Sequence, residues 1–96
     1  MTAISKVSDI TAEDLAEYIR IPDPSPSDLQ LLNIQLNSAK AYMKSFTGQE
    51  DLDPFSDYVQ AAFVLVSDMW DNRALYVETS NVNQVVESIL SLHSVN

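Results

Sequence analysis

Ser25-Pro-Ser-Asp-Leu-Gln-Leu-Leu-Asn-Ile-Gln-Leu-Asn-Ser-Ala-Lys-Ala-Tyr-Met-Lys-Ser-Phe-Thr-Gly48 is the stretch whose reading decides the fold. Ser25 stands where an N-cap belongs, Pro26 at the first helical position, and Asp28 where its carboxylate reaches back to the cap and opposes the helix dipole. From there Leu29, Leu32, Leu36, Ala39, Met43 and Phe46 recur at alternating spacings of three and four, an apolar seam along one face. Leu31, Ala41 and Tyr42 widen it. Gly48 follows as the left-handed C-cap, with Lys40 and Lys44 near the negative end of the dipole. The spacing predicts one long amphipathic helix over 26–47.

The same punctuation appears on both sides. Thr11 with Asp14 forms a capping-box pattern, and Ile10 with Leu15 a hydrophobic staple, so a short first helix is expected from Thr11. It must stop by Ile21, because Pro22 disfavours helical geometry in the residue before it. Asp53-Pro54 repeats the cap-then-proline arrangement and predicts a third helix from about Pro54 to about Val77. The apolar residues of that segment, among them Phe55, Tyr58, Val59, Phe63, Val64, Leu65, Val66, Met69 and Trp70, do not keep to one stripe. A helix apolar on most of its circumference is either central or has a second face covered by another subunit. Thr79 to Asn83 reads as a turn, with Asn81 capping a fourth helix whose apolar positions are Val82, Val85, Val86, Ile89, Leu90 and Leu92. The expectation is an all-α bundle of four helices in a single domain over 1–96, loose at 1–9 and 93–96.

Composition agrees. The chain has a single Gly, and its four prolines fall in two short segments, Pro22 to Pro26 and Asp53-Pro54, that punctuate the expected helices. Sheet proteins usually spend several glycines on hairpin turns, whereas helical bundles manage with few. Fourteen acids against five bases leave a net charge of -9, which disfavours free binding to nucleic-acid phosphates or to an anionic bilayer. Lys40 and Lys44 are too few to make a basic groove. The longest apolar run, Ala61 to Val66, falls far short of the roughly 20 residues that cross a bilayer. The opening Met1-Thr-Ala-Ile-Ser-Lys6 has neither a signal-peptide core nor Gly at position 2, so a cytoplasmic protein with no membrane association is expected.

Catalytic patterns are weak throughout. The chain has no cysteine, which excludes disulfides, thiolate metal sites and Cys nucleophiles. The lone histidine, His93, has no nucleophile and orienting acid indicated beside it and reads as a surface or partner-facing residue. Glu50, Asp51, Asp53 and Asp57 invite a calcium-loop reading, but counting from Asp51 puts Ser56 where an EF-hand needs Gly and Ala62 where it needs Glu. These acids fit better as favourable charges at the start of the third helix. Asp68 and Asp71, one turn apart, lack the Glu and His pairs of carboxylate-bridged metal sites and are expected to neutralise Arg73 or an Arg of another copy. Tyr18, Tyr42, Phe46, Tyr58, Phe63, Trp70 and Tyr76 are spaced for core and interface use, not for base stacking. No enzyme activity, cofactor or metal is expected.

The order of elements carries a resemblance. Ile10-Thr-Ala-Glu-Asp-Leu-Ala-Glu-Tyr-Ile-Arg-Ile21, Ser38-Ala-Lys-Ala-Tyr-Met-Lys-Ser-Phe-Thr-Gly48 and Val64-Leu-Val-Ser-Asp-Met-Trp-Asp-Asn-Arg-Ala74 appear in sequence. Together they resemble the head-to-tail connector proteins of tailed bacteriophages, small helical adaptors also described as possible DNA-packaging proteins. Relatives often close with a turn containing Pro and Gly and an Arg-bearing tail, whereas Asn81 to Asn96 has neither Pro, Gly nor Arg here. The resemblance implies a structural role at the virion neck after a period in the host cytoplasm. The homo-oligomer would be a ring, commonly of about twelve subunits, bound to the portal protein above and to a neck or tail-completion protein below. DNA would pass through its channel without specific binding. On this reading Trp70, Asn72, Arg73 and Tyr76 near the end of the third helix, and Val86, Ile89 and Leu90 on the fourth, are the candidate subunit or partner contacts. A small acidic inhibitor that mimics DNA and occupies a host nucleic-acid enzyme is the alternative suggested by the -9 charge.

Overall fold

Reciprocal caps start the first two helices as their sequences predict. In the computed structural model, which describes residues 4–79 and 82–95, the Thr11 hydroxyl accepts the Asp14 N–H at 3.1 Å while the Asp14 carboxylate accepts the Thr11 N–H at 3.0 Å. Ser25 and Asp28 repeat the exchange at 3.1 and 3.0 Å. These boxes open α1 (Ala12–Ile19) and α2 (Pro26–Thr47). Two further helices, α3 (Asp57–Asp71) and α4 (Gln84–Leu92), and a 3-10 turn at Val7–Asp9 complete an all-α fold without strands among the described residues.

Helix ends explain the boundaries. Gly48, at φ 74°, donates its N–H to the Lys44 carbonyl at 2.9 Å and stops α2 in the left-handed conformation that glycine adopts without steric cost. Arginine does the same work at the ends of α1 and α3. Arg20 (φ 67°) and Arg73 (φ 54°) are left-handed. In each case the residue after the arginine bonds five residues back, Ile21 to Ala16 and Ala74 to Met69, both at 2.9 Å. The arginines themselves bond three back, to Glu17 and Trp70. This is the Schellman arrangement with Arg in the usual glycine position.

α3 is shorter at both ends than the expected span of Pro54 to Val77. At its start Asp53 is occupied elsewhere: its carboxylate accepts the Ser8 N–H at 3.0 Å and the Ser8 hydroxyl at 2.7 Å, tying the 3-10 turn to the α2–α3 connection. Pro54 therefore lies in a turn, and the helix begins after Ser56, whose side chain makes no cap bond. At its end the Schellman turn at Arg73 intervenes, unmarked in the sequence by glycine or proline. α4 also starts later than expected. Asn83, not Asn81, supplies the cap, accepting the Val85 N–H at 2.8 Å; Asn81 lies outside the described residues.

α3 is the central helix, packed against α1, α2, α4 and the 3-10 turn. Tyr58, Ala61, Ala62, Phe63, Leu65, Val66 and Met69 are buried on it. They join Leu15 of α1, Leu32, Leu36, Ala39 and Met43 of α2, and Val86 and Leu90 of α4 in one core. The chain itself thus covers most of the apolar circumference that a second subunit could otherwise explain. Two polar residues also sit in the α2 face, Gln35 and Thr47, both fully buried. Thr47 is satisfied by its own helix, donating to the Met43 carbonyl at 2.7 Å.

Residues near both ends of the chain contact the body of the fold. Val7 and Ile10 are buried in the core. At the other end the Val95 N–H donates to the Thr47 carbonyl at 2.7 Å, and the Gln49 amide donates to the His93 carbonyl at 2.7 Å. The His93 ring stacks on Phe55 with centroids 4.6 Å apart, meets Tyr58 edge-on, and places Nε2 3.0 Å from the Asp57 carboxylate. Leu92 and Val95 remain exposed on the outside of this clasp.

Candidate interaction surface at the junction of α3 and α4

The turn after α3 ties the following loop back to α2. Asn72 closes the helix twice, through its N–H at 3.2 Å and its side-chain amide at 2.9 Å, both donating to the Asp68 carbonyl. The left-handed Arg73 then reverses the chain, and its guanidinium lies over the Trp70 ring, 4.9 Å from the centroid. From α2, the buried Gln35 amide donates to the Ala74 carbonyl at 2.9 Å and the Ser38 hydroxyl to the Leu75 carbonyl at 2.7 Å. With the backbone held from below, the side chains that follow face out: Leu75 is 45% and Tyr76 77% exposed.

Between this loop and the start of α4 lies a groove of about 500 Å3. Leu65, Met69, Val77 and Val82 line it with apolar surface, and Asp68, Asn72, Glu78 and Asn83 add polar groups. Asp68 is half-buried, and burial holds its carboxyl above the ordinary carboxylate range, with the charge of Asp71 acting in the same sense. No cation pairs with Asp68 among the described residues. The expected neutralisation of Asp68 or Asp71 by Arg73 within the chain is therefore absent, because the Schellman turn carries Arg73 onto Trp70 instead.

The candidate contact residues divide. Asn72, Arg73 and Tyr76 are exposed and Trp70 is half-buried, all on or beside the turn after α3. Val86 and Leu90 are fully buried core residues, which corrects the expectation that they face a partner. Their spacing of four puts them on the inner face of α4, and Ile89 packs against the core beside them. The large apolar residues of α4 that do face outward are Val85 and Leu92, 52% and 71% exposed. Among the described residues, the exposed large hydrophobic side chains Leu75, Tyr76, Val85, Leu92 and Val95 all follow α3 in the chain, leaving only Tyr18 and Ile34 before it. The surplus apolar surface belongs to the last quarter of the molecule.

Sequence reasoning missed the buried clamp of Gln35 and the clasp of His93. A glutamine inside an otherwise apolar seam was the available signal for the first, and a lone histidine on a segment without a helix of its own for the second. No group of three or more His, Cys, Asp or Glu among the described residues is arranged to hold a metal ion. No helix among them is long and apolar enough to cross a membrane. Compared with known protein families, curated proteins and solved structures, the chain matches none.

Proposed function

We propose that this chain is a structural head-to-tail connector of a tailed phage or prophage, assembling as a ring below the portal and offering a surface to neck or tail components. The observation that carries the reading is the place of the three resembling segments. Each one ends in a left-handed helix terminus, at Arg20, Gly48 and Arg73. The likeness thus lies in the residues that set helix ends and the direction of the connections, not in composition. Exposed apolar residues after α3 add support, since an adaptor needs a face for its neighbours, and Tyr76 at 77% exposure has no purpose in the core. The net charge of -9 suits a protein past which DNA must slide without sticking.

The DNA-mimic alternative is less favoured. Asp14 and Asp28 are spent on capping boxes, Asp53 on Ser8 and Asp57 on His93. Leu29 to Gln49, most of the longest helix, carries no acid at all. A phosphate mimic needs a regular array of outward carboxylates, and here several serve the fold.

Light scattering and electron microscopy of the protein at high concentration, alone and mixed with the portal protein of its own phage, test the reading. Rings, or a stable complex with the portal, are the expected result. Neither ring nor portal binding would sink it.

A further inference from the structure

We propose that the groove between the end of α3 and the start of α4 is a docking site for a basic side chain, an arginine or lysine flanked by apolar residues, presented by a partner protein. Charge complementarity selects this occupant. A second copy has fourteen acids and only five bases to offer this acid-lined groove, so it presents few cations to fill it. A partner of opposite charge is instead steered inward.

The local chemistry agrees. Asp68 is half-buried in the groove wall with no cation beside it among the described residues, and its raised pKa reports a charge that burial and Asp71 both disfavour. A guanidinium or ammonium placed there would reverse the imbalance and make a charge-assisted hydrogen bond. Met69 and Val77 supply apolar surface for the stem of such a side chain, which long cationic residues bury readily. Tyr76, exposed at the rim, offers a ring face to the cation or to its apolar neighbours. The hydrogen bonds from the Gln35 and Ser38 side chains fix the backbone at Ala74 and Leu75, so this part of the groove wall is already ordered before binding.

The inference goes beyond the connector reading and does not depend on ring formation. Its test is an NMR titration of the full chain with the amidated tripeptide acetyl-Leu-Arg-Leu and with its neutral isostere acetyl-Leu-citrulline-Leu. The arginine peptide is expected to shift the amides of Asp68, Asn72 and Val77 saturably, and the citrulline peptide to bind at least tenfold more weakly. Asp68→Asn should reduce the arginine peptide to the citrulline level. That variant should fold. Because the folded carboxyl lies above its unfolded value near 3.8, its charge costs stability at neutral pH. Removing the charge should leave the melting temperature at pH 7 equal or slightly higher, and the gain should fade as pH falls toward the unfolded value. Shifts confined to other residues, equal affinity for citrulline, or undiminished binding by Asp68→Asn would overturn the proposal. So would self-association abolished by Asp68→Asn in a chain that ignores the arginine peptide, an outcome that assigns the groove to a second copy. Arginine-peptide binding by a chain that forms no ring supports this proposal while counting against the connector reading.

Discussion

Asp53 shows how one carboxylate can be assigned the right chemistry and the wrong partner. Beside Pro54 it has the pattern of an N-cap, yet it accepts two hydrogen bonds from Ser8, 45 positions away in the chain. Those bonds, first the Ser8 hydroxyl and then its backbone N–H, hold the Asp53 carboxyl below its ordinary range. A carboxyl whose pKa is depressed on folding contributes stability that is fully present above its unfolded value, near 3.8, and lost as pH falls through the lower folded value. Asp53→Ala should therefore melt below the parent protein at pH 7, and the two melting curves should converge once pH drops below the folded value. A difference that persists unchanged in strong acid would mean that the carboxylate charge is not what ties the 3-10 turn down. Gln35 belongs at this scale too. One end of its amide clamps Ala74, while Oε1, also buried, has no hydrogen-bond partner among the described residues.

At the scale of the element, the decisive events are helix terminations. Gly48 announces the end of α2, but α1 and α3 end on arginines that must adopt a conformation costing an L-residue roughly 1–2 kcal/mol. The cost is accepted because each turn returns the chain to the core, through Ile21 after α1 and Ala74 after α3, both packed against it. Replacement of Arg73 distinguishes the observed turn from a helix running on to Val77. If residue 73 is left-handed, Arg73→Gly should be more stable than Arg73→Ala by about 1 kcal/mol in urea unfolding. In a continuous helix the order would reverse by a similar amount, since glycine is the poorer helix former. Comparing the two variants with each other cancels the loss of the contact between Arg73 and Trp70, which both share.

For the whole molecule, closure depends on its two ends. The 3-10 turn is bound through Asp53 at one, and residues 93–95 bridge the end of α2 and the start of α3 at the other. Ending the chain after Leu92 would remove the hydrogen bonds to Thr47 and from Gln49, the pair with Asp57, and the ring packing over Phe55 and Tyr58. The expected loss is roughly 2 kcal/mol, about two net hydrogen bonds with little added by the half-exposed contact between His93 and Asp57. Chemical unfolding followed by circular dichroism measures it. An unchanged midpoint would show that the clasp does not hold the fold. His93→Gln, which keeps the main-chain bonds, should lose only part of the stability.

The sequence by itself determined what depends on neighbours along the chain: the all-α class, the capping boxes of α1 and α2, the seam of α2 and its glycine stop. These are read from residues within one or two turns of each other, where hydrogen-bond reach and helical periodicity leave few alternatives. It did not mark the turn after α3, where a helix was expected to run on to about Val77 and where Asn72, Arg73 and Tyr76 are exposed. Tertiary structure decided everything that needs a partner distant in sequence. Ser8 took Asp53 from the α3 cap, Gln35 and Ser38 held the loop at 74–75, and His93 closed against Asp57. The bundle, not the pattern, chose which side of α4 turned inward, burying Val86 and Leu90 and leaving Val85 and Leu92 outside. An apolar residue carries no label for the surface that will cover it; only the assembled geometry of α3 and its neighbours assigns one.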